Sequence, residues 1–256
     1  MSKILTIIHC ILLLLISVSV VASDFAKEKR WSEQIVDYLI DGEAEWLNVD
    51  KHKILAIYTE ATTQATKGSV IIIHGSGAHP NWSDIIQPLR TQLPESGWST
   101  LSIQMPILSN DAEYTEYAPL FDEVAPRINA AIKNLQSKGA KNISIIAHSL
   151  GTTMTAHYLA SNKAHPVKGF IAIGMPGESK DNRMNNVLSL KQINIPTLDL
   201  YGSNDLESVL SSSKLRSDSS SHNKEYSQIV IKDANHFFNN KNSELFEAVS
   251  NWLAKQ

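Results

Sequence analysis

"IIAHSLGTT", Ile145 to Thr153, is the stretch on which the fold turns. It closes a short β-branched run, "ISIIAH" from Ile143 to His148, and opens a helical one that continues to about Asn162. A serine set between them sits on a strand-to-helix turn. The pattern Ala147-His148-Ser149-Leu150-Gly151 is small-x-Ser-x-small, and the small residues have a steric purpose. A sharp turn brings the residues two before and two after the serine close together, so bulky side chains there would clash. Ala147 stands where glycine is more usual and adds one methyl to the crowded turn. Two readings share this shape: Ser149 is a nucleophile, or its hydroxyl only caps the helix.

Outward from this turn the chain repeats the same alternation. Ser69–His74, Trp98–Gln104, Ile143–His148, Gly169–Gly174, Ile195–Gly202 and Tyr226–Lys232 are short strand-like runs, most without polar alternation. Such strands are buried on both faces, which requires a parallel sheet covered by helices. The intervening segments predict helices over 83–93, 119–137, 149–162 and 242–255, with a first helix over 31–40. In the last, Leu245, Phe246, Val249, Trp252 and Leu253 share one face and Ser243 is placed to cap the start. "EAEWLNVDKHKILAIYTEA" predicts an antiparallel hairpin joined near residues 48–53. The expected architecture is α/β: a doubly wound, mostly parallel sheet with an antiparallel N-terminal hairpin at one edge. "SSSKLRSDSSSHN", residues 211–223, is expected to be a solvated loop.

The chain has 256 residues, 43% of them hydrophobic, enough for one large domain with a continuous core. A formal net charge of −3 with scattered basic residues gives no electrostatic support to a nucleic-acid or anionic-membrane surface. Residues 1–22 place Lys3 before an apolar stretch from Ile4 to Val21, with Val20 and Ala22 at the −3 and −1 positions of a cleavage site. This reads as a signal peptide cut near Ala22/Ser23, leaving 23–256 as a single exported domain, periplasmic or secreted, with no stable membrane span. A retained anchor is the alternative. Cys10, the only cysteine, lies in the leader, so the mature chain relies on neither disulfides nor a thiol nucleophile. The remaining histidines are dispersed and no metal-binding spacing occurs, so no metal and no organic cofactor is expected.

In an open parallel sheet, ligands collect at the carboxyl ends of the strands. A nucleophile, an acid and a base should therefore each follow a strand at that edge. Ser149 does so. Asp205 follows the run ending near Gly202, in "LDLYGSND", whereas its rival Asp199 lies inside the strand. His236, in "KDANHFFNN", follows the last strand, and histidine is the side chain whose proton affinity suits a general base near neutrality. The order Ser…Asp…His matches that of a known triad motif. After the first parallel strand, "HGSGAH" offers Gly75 and Gly77 as turn residues. They would let the Ser76 N–H join that of Leu150 as an oxyanion hole, with His74 organising the loop. His79, Trp82, Met105 and Met175 are candidate pocket residues; ordinary loop packing is their alternative role.

With the elbow "AHSLGT", the "HG" loop, "GSND" and "NHFF" in hand, the chain resembles the α/β-hydrolase superfamily over essentially its whole mature length. More narrowly, His79 to Pro106 is similar to a functionally uncharacterised bacterial family of exported α/β-hydrolases. The resemblance implies the α/β-hydrolase fold and makes Ser149, Asp205 and His236 the corresponding triad. Few residues separate the strands between Met175 and Asn194, so no large cap is expected. The resulting expectation is a serine hydrolase acting on a small acyl substrate, an ester foremost. A peptidase or amidase and a non-catalytic envelope-binding protein on the same scaffold are the alternatives. The oligomeric state is not legible.

Overall fold

The computed structural model describes residues 22–50 and 52–256. The leader expected over 1–22 lies outside the described residues except for Ala22. The chain opens with helix α1 (Phe25–Asp37), followed by the hairpin strands β1 (Glu43–Val49) and β2 (His52–Thr59). Then β3 (Gly68–Ile73), β4 (Trp98–Ile103), β5 (Ile143–His148), β6 (Val167–Ile173), β7 (Thr197–Asn204) and β8 (Tyr226–Asn235) complete one sheet. Its order is β1-β2-β4-β3-β5-β6-β7-β8. β2 pairs antiparallel with β1 and with β4, and every later pairing is parallel. The expected sheet, with its antiparallel edge pair, is the one observed.

Burial on both faces follows from the side-chain alternation of β3. Val70 and Ile72 point to one face, where they join Ile86 and Leu89 of α2 (Ile86–Gln92) and Leu245, Val249, Trp252 and Leu253 of α8 (Asn242–Leu253). Ile71 and Ile73 point to the other, against Ile128 and Leu135 of α3 (Val124–Ser137) and Leu150 and Met154 of α4 (Leu150–Ser161). All four β3 side chains are fully buried, and each such aliphatic contributes about 1.5–3 kcal/mol. β3 lies between β4 and β5, so the direction of winding reverses there, and in open sheets ligands collect at the carboxyl ends of the strands beside such a reversal. The "HG" loop leaves β3 at that edge, and Ser149 leaves β5 beside it.

Several boundaries differ from the expected ones, each for a physical reason. α1 begins six residues earlier than expected because Asp24 caps it, accepting from the Lys27 N–H at 2.9 Å. Residues 38–40 lie beyond its end. The third helix is split: Tyr114–Glu123 is a 3-10 helix containing Pro119, and α3 starts only at Val124. α8 is capped by Lys241 without a side-chain bond, so Ser243 is not its cap. The largest correction concerns 211–223. This is not a loop but runs from the end of α6 (Glu207–Leu210) through α7 (Ser213–Ser219), and Arg216 within it is fully buried. Arg216 reaches into the sheet and meets Asp199 at 2.7 Å, while Tyr226 and Gln228 donate to the same carboxylate. Asp199, the rival acid, is therefore committed to holding α7. Between β6 and β7 the chain forms only a 3-10 turn, Asn182–Met184, and the short α5 (Asn186–Leu190), so no cap covers the carboxyl edge of the sheet.

Candidate active site

Three candidate residues occupy equivalent places in the sheet. Ser149 is the first residue after β5, Asp205 the first after β7, and His236 the first after β8. Parallel strands bring all three to one edge, and the side chains meet there. His236 Nε2 lies 2.9 Å from Ser149 Oγ, and His236 Nδ1 lies 2.5 Å from Asp205 Oδ1. A carboxylate only accepts, so Nδ1 carries the proton and Nε2 presents its lone pair to the serine hydroxyl.

The backbone of Ser149 is strained, with φ 52° and ψ −124°, a conformation that costs about 1–3 kcal/mol for a residue with a side chain. The surroundings impose it: the Ser149 N–H donates to Ile173 O at 2.9 Å, and α4 begins at the next residue. Ser149 makes no side-chain cap bond to α4. Its hydroxyl points to His236 instead, which answers the capping alternative. A methyl on Gly151 would fall 2.5 Å from His74 O, so the small residue two after the serine is required by the approach of the β3 loop. Ala147 is tolerated two before it, fully buried.

Asp205 is buried, which works against its charge, but the hydrogen bond and charge of His236 and the N–H groups of Leu206 and Gly202 outweigh that and hold its pKa below the usual value. His148 is buried beside His236, with ring centroids 4.8 Å apart, and its Nε2 bonds the His236 carbonyl at 3.0 Å. Burial first, then the neighbouring His236, lowers its pKa to about 3, so it stays neutral and donates to that carbonyl. Sequence reasoning gave His148 no partner. Gly174 was also missed: it takes φ 63°, and a methyl there would meet the His236 ring at 2.9 Å.

The loop after β3 is set by His74. Its Nδ1–H donates to Gly75 O at 2.8 Å and its Nε2 accepts from the Met105 N–H at 2.9 Å, tying the loop to the segment that follows β4. Burial drives its pKa down to about 3, so it too stays neutral. Gly77 takes a positive φ of 65°, as the turn requires. Gly75 does not; its role is close approach, since a methyl there would lie 2.9 Å from Ser149 Cβ. Leu150 opens α4, so its N–H is among those a helix leaves without an internal partner. None of the four candidate pocket residues is exposed. Met105 and Met175 are buried in the core, and His79 makes edge-on ring contacts with Trp31 and Trp82, fastening α1 to the loop. The apolar groups that do flank the site are Leu206 and Phe237, 50% and 43% exposed beside Asp205 and His236. Among the described residues no group of three or more His, Cys, Asp or Glu could hold a metal ion.

A family model described as "Protein of unknown function (DUF3530)" matches residues 22–119 and 110–255. The chain belongs to this family. No curated protein matches it. Among solved structures, this DUF3530 chain is similar to Est1E from Butyrivibrio proteoclasticus, at 16% identity and a TM-score of 0.67, covering 84% of this chain and 98% of that one. It is similar to dienelactone hydrolase from Anabaena variabilis at 19% identity and a TM-score of 0.65, covering 84% and 97%. XC6422 from Xanthomonas campestris, described as a serine hydrolase without lid, superposes at 13% identity and a TM-score of 0.61, covering 85% and 96%. At these identities the likeness establishes the fold: this is an α/β-hydrolase fold without a cap, as the sequence implies.

Proposed function

We propose that this DUF3530 chain is a serine hydrolase that cleaves an ester or similar acyl bond of a small substrate. The observation that carries the reading is the His236 imidazole spanning Ser149 Oγ and Asp205 Oδ1. His236 Nε2 takes the hydroxyl proton as Ser149 Oγ bonds to the carbonyl carbon. The carbonyl electron pair moves to oxygen, and the N–H groups of Leu150 and Ser76 receive that oxyanion. Such donors are worth about 3 kcal/mol each to the transition state. Asp205, ionised because its pKa is held low, orients the ring and stabilises the imidazolium. When the carbonyl reforms, the alkoxide leaves with the proton from His236. Water, deprotonated by the same nitrogen, then releases the acyl group and restores Ser149. No cap covers the carboxyl edge of the sheet, and Phe237 and Leu206 beside the triad give apolar surface for an acyl or aryl group. No helix among the described residues is long and apolar enough to cross a membrane; export is part of the proposal, and rests on residues 1–22.

A panel of p-nitrophenyl esters from acetate to decanoate, run beside the matching anilides, tests this reading. Hydrolysis of the short esters by the wild type, with loss in Ser149→Ala, is the expected result. Turnover of the anilides at a comparable kcat/KM would move the assignment to an amidase, and equal ester turnover by Ser149→Ala would refute it.

A further inference from the structure

The N-terminal segment ends at a charge cluster, Arg127 and Glu28 buried and Glu123 half-buried, that lacks one cation. Arg127 is fully buried and clasps Glu28 with both Nη atoms, each 3.0 Å from a carboxylate oxygen, and its Nη2 also lies 2.8 Å from Glu123 Oε2. One guanidinium thus faces two carboxylates, and among the described residues no other cation comes within 4.0 Å of either. Lys27 turns away, its Nζ donating to Leu108 O and Asn110 Oδ1. The atom that does reach Glu123 is a backbone nitrogen. Ser23 N lies 3.0 Å from Glu123 Oε1, and Ser23 Oγ donates to Oε2 at 2.8 Å. Ser23 is buried, Ala22 before it is exposed, and the next residue is pinned by Asp24 N–H to Ile107 O at 2.8 Å.

We propose that this is a built seat for a free amino terminus, and that proteolysis of the Ala22–Ser23 bond supplies the missing cation as the Ser23 ammonium. The inference rests on the export reading and is independent of the hydrolase reading. The enzyme implied is an endopeptidase of the signal-peptidase class, to which Val20 and Ala22 present small residues at −3 and −1. Hydrolysis adds one water across the amide, leaving a carboxylate on Ala22 and an ammonium on Ser23. The cluster then holds two positive and two negative charges, and a charge-assisted bond replaces a neutral amide donor. Removing the leader thereby stabilises the folded domain.

The test begins with export of the full chain and the intact mass of the purified product, expected to begin at Ser23. Thermal unfolding of that product is then compared with the same chain carrying one extra glycine ahead of Ser23, which displaces the ammonium by about 3.8 Å, and with an Nα-acetylated chain. Both changes are expected to lower Tm by about 3–8 °C, and the glycine extension to have under about a third of that effect in Glu123→Gln. Acetylation leaves Glu123 in place, so the test survives if that variant does not fold. A product beginning elsewhere overturns the proposal. So does an acetylated chain as stable as the free one, or a glycine penalty undiminished by Glu123→Gln.

Discussion

At the residue scale, Ser149 is held in a strained backbone with its hydroxyl committed to His236 rather than to the helix it precedes. In the proposed reaction the three side chains act as a unit. Ser149→Ala is expected to lower kcat on any active ester by about 10^4-fold or more, with KM little changed. Asp205→Asn is expected to cost about 10^4-fold as well, because an amide can donate to Nδ1 and so reverse the histidine tautomer. Steady-state kinetics on the same ester checks both, and an Asp205→Asn enzyme within tenfold of wild type would contradict the assigned tautomer. Gly151→Ala places a methyl 2.5 Å from His74 O and should destabilise the fold by about 2–3 kcal/mol in urea unfolding. Much of this was legible in the sequence, because a nucleophile turn imposes small residues at fixed spacing. The partners of His148 and the crowding at Gly174 were not, since both arise only when β8 is laid beside β7 and its loop returns over β5 and β6.

At the scale of elements, α7 shows where composition misleads. A run of serines with charged residues reads as solvated, yet its one buried side chain, Arg216, decides its structure by reaching Asp199 at 2.7 Å. Nothing in the local pattern marks that arginine, because its partner lies on another element and the pairing is set by packing. Breaking a buried pair by removing one member leaves an unpaired charge, so Arg216→Met should cost about 3–5 kcal/mol. Replacing Asp199 with Leu in the same chain should recover part of that loss, and urea unfolding of the single and double variants decides the point. The helix boundaries that moved did so for comparable reasons: Asp24 drew α1 forward, and Pro119 gave a 3-10 helix where a continuous helix was expected. The strands were more legible than the helices. Their apolar runs are read directly from burial on both faces, whereas a helix end depends on which side chain reaches which backbone group.

For the whole molecule, the sheet delivers Ser149, Asp205 and His236 to one edge because each directly follows a parallel strand, so the fold and the site are one argument. The same burial that organises the site sets the acid response. His74 and His148 are neutral in the folded state, with pKa lowered from 6.5 to about 3, whereas the unfolded chain takes up protons near 6.5. Between these values the unfolded state binds more protons, so this stability is present above about pH 6.5 and lost as the pH falls toward 3. From pH 7 to pH 5 each histidine should cost about 2 kcal/mol, and an unfolding free energy flat over that range in urea would contradict the buried neutral assignment.

The central claim is that His236, oriented by Asp205, activates Ser149, and its most direct test is the intact mass of the purified protein after treatment with a fluorophosphonate. One adduct on the wild type, located to Ser149, and none on folded Ser149→Ala or His236→Ala is the expected result. A folded wild type that takes no adduct, or an adduct that persists in Ser149→Ala, would contradict it.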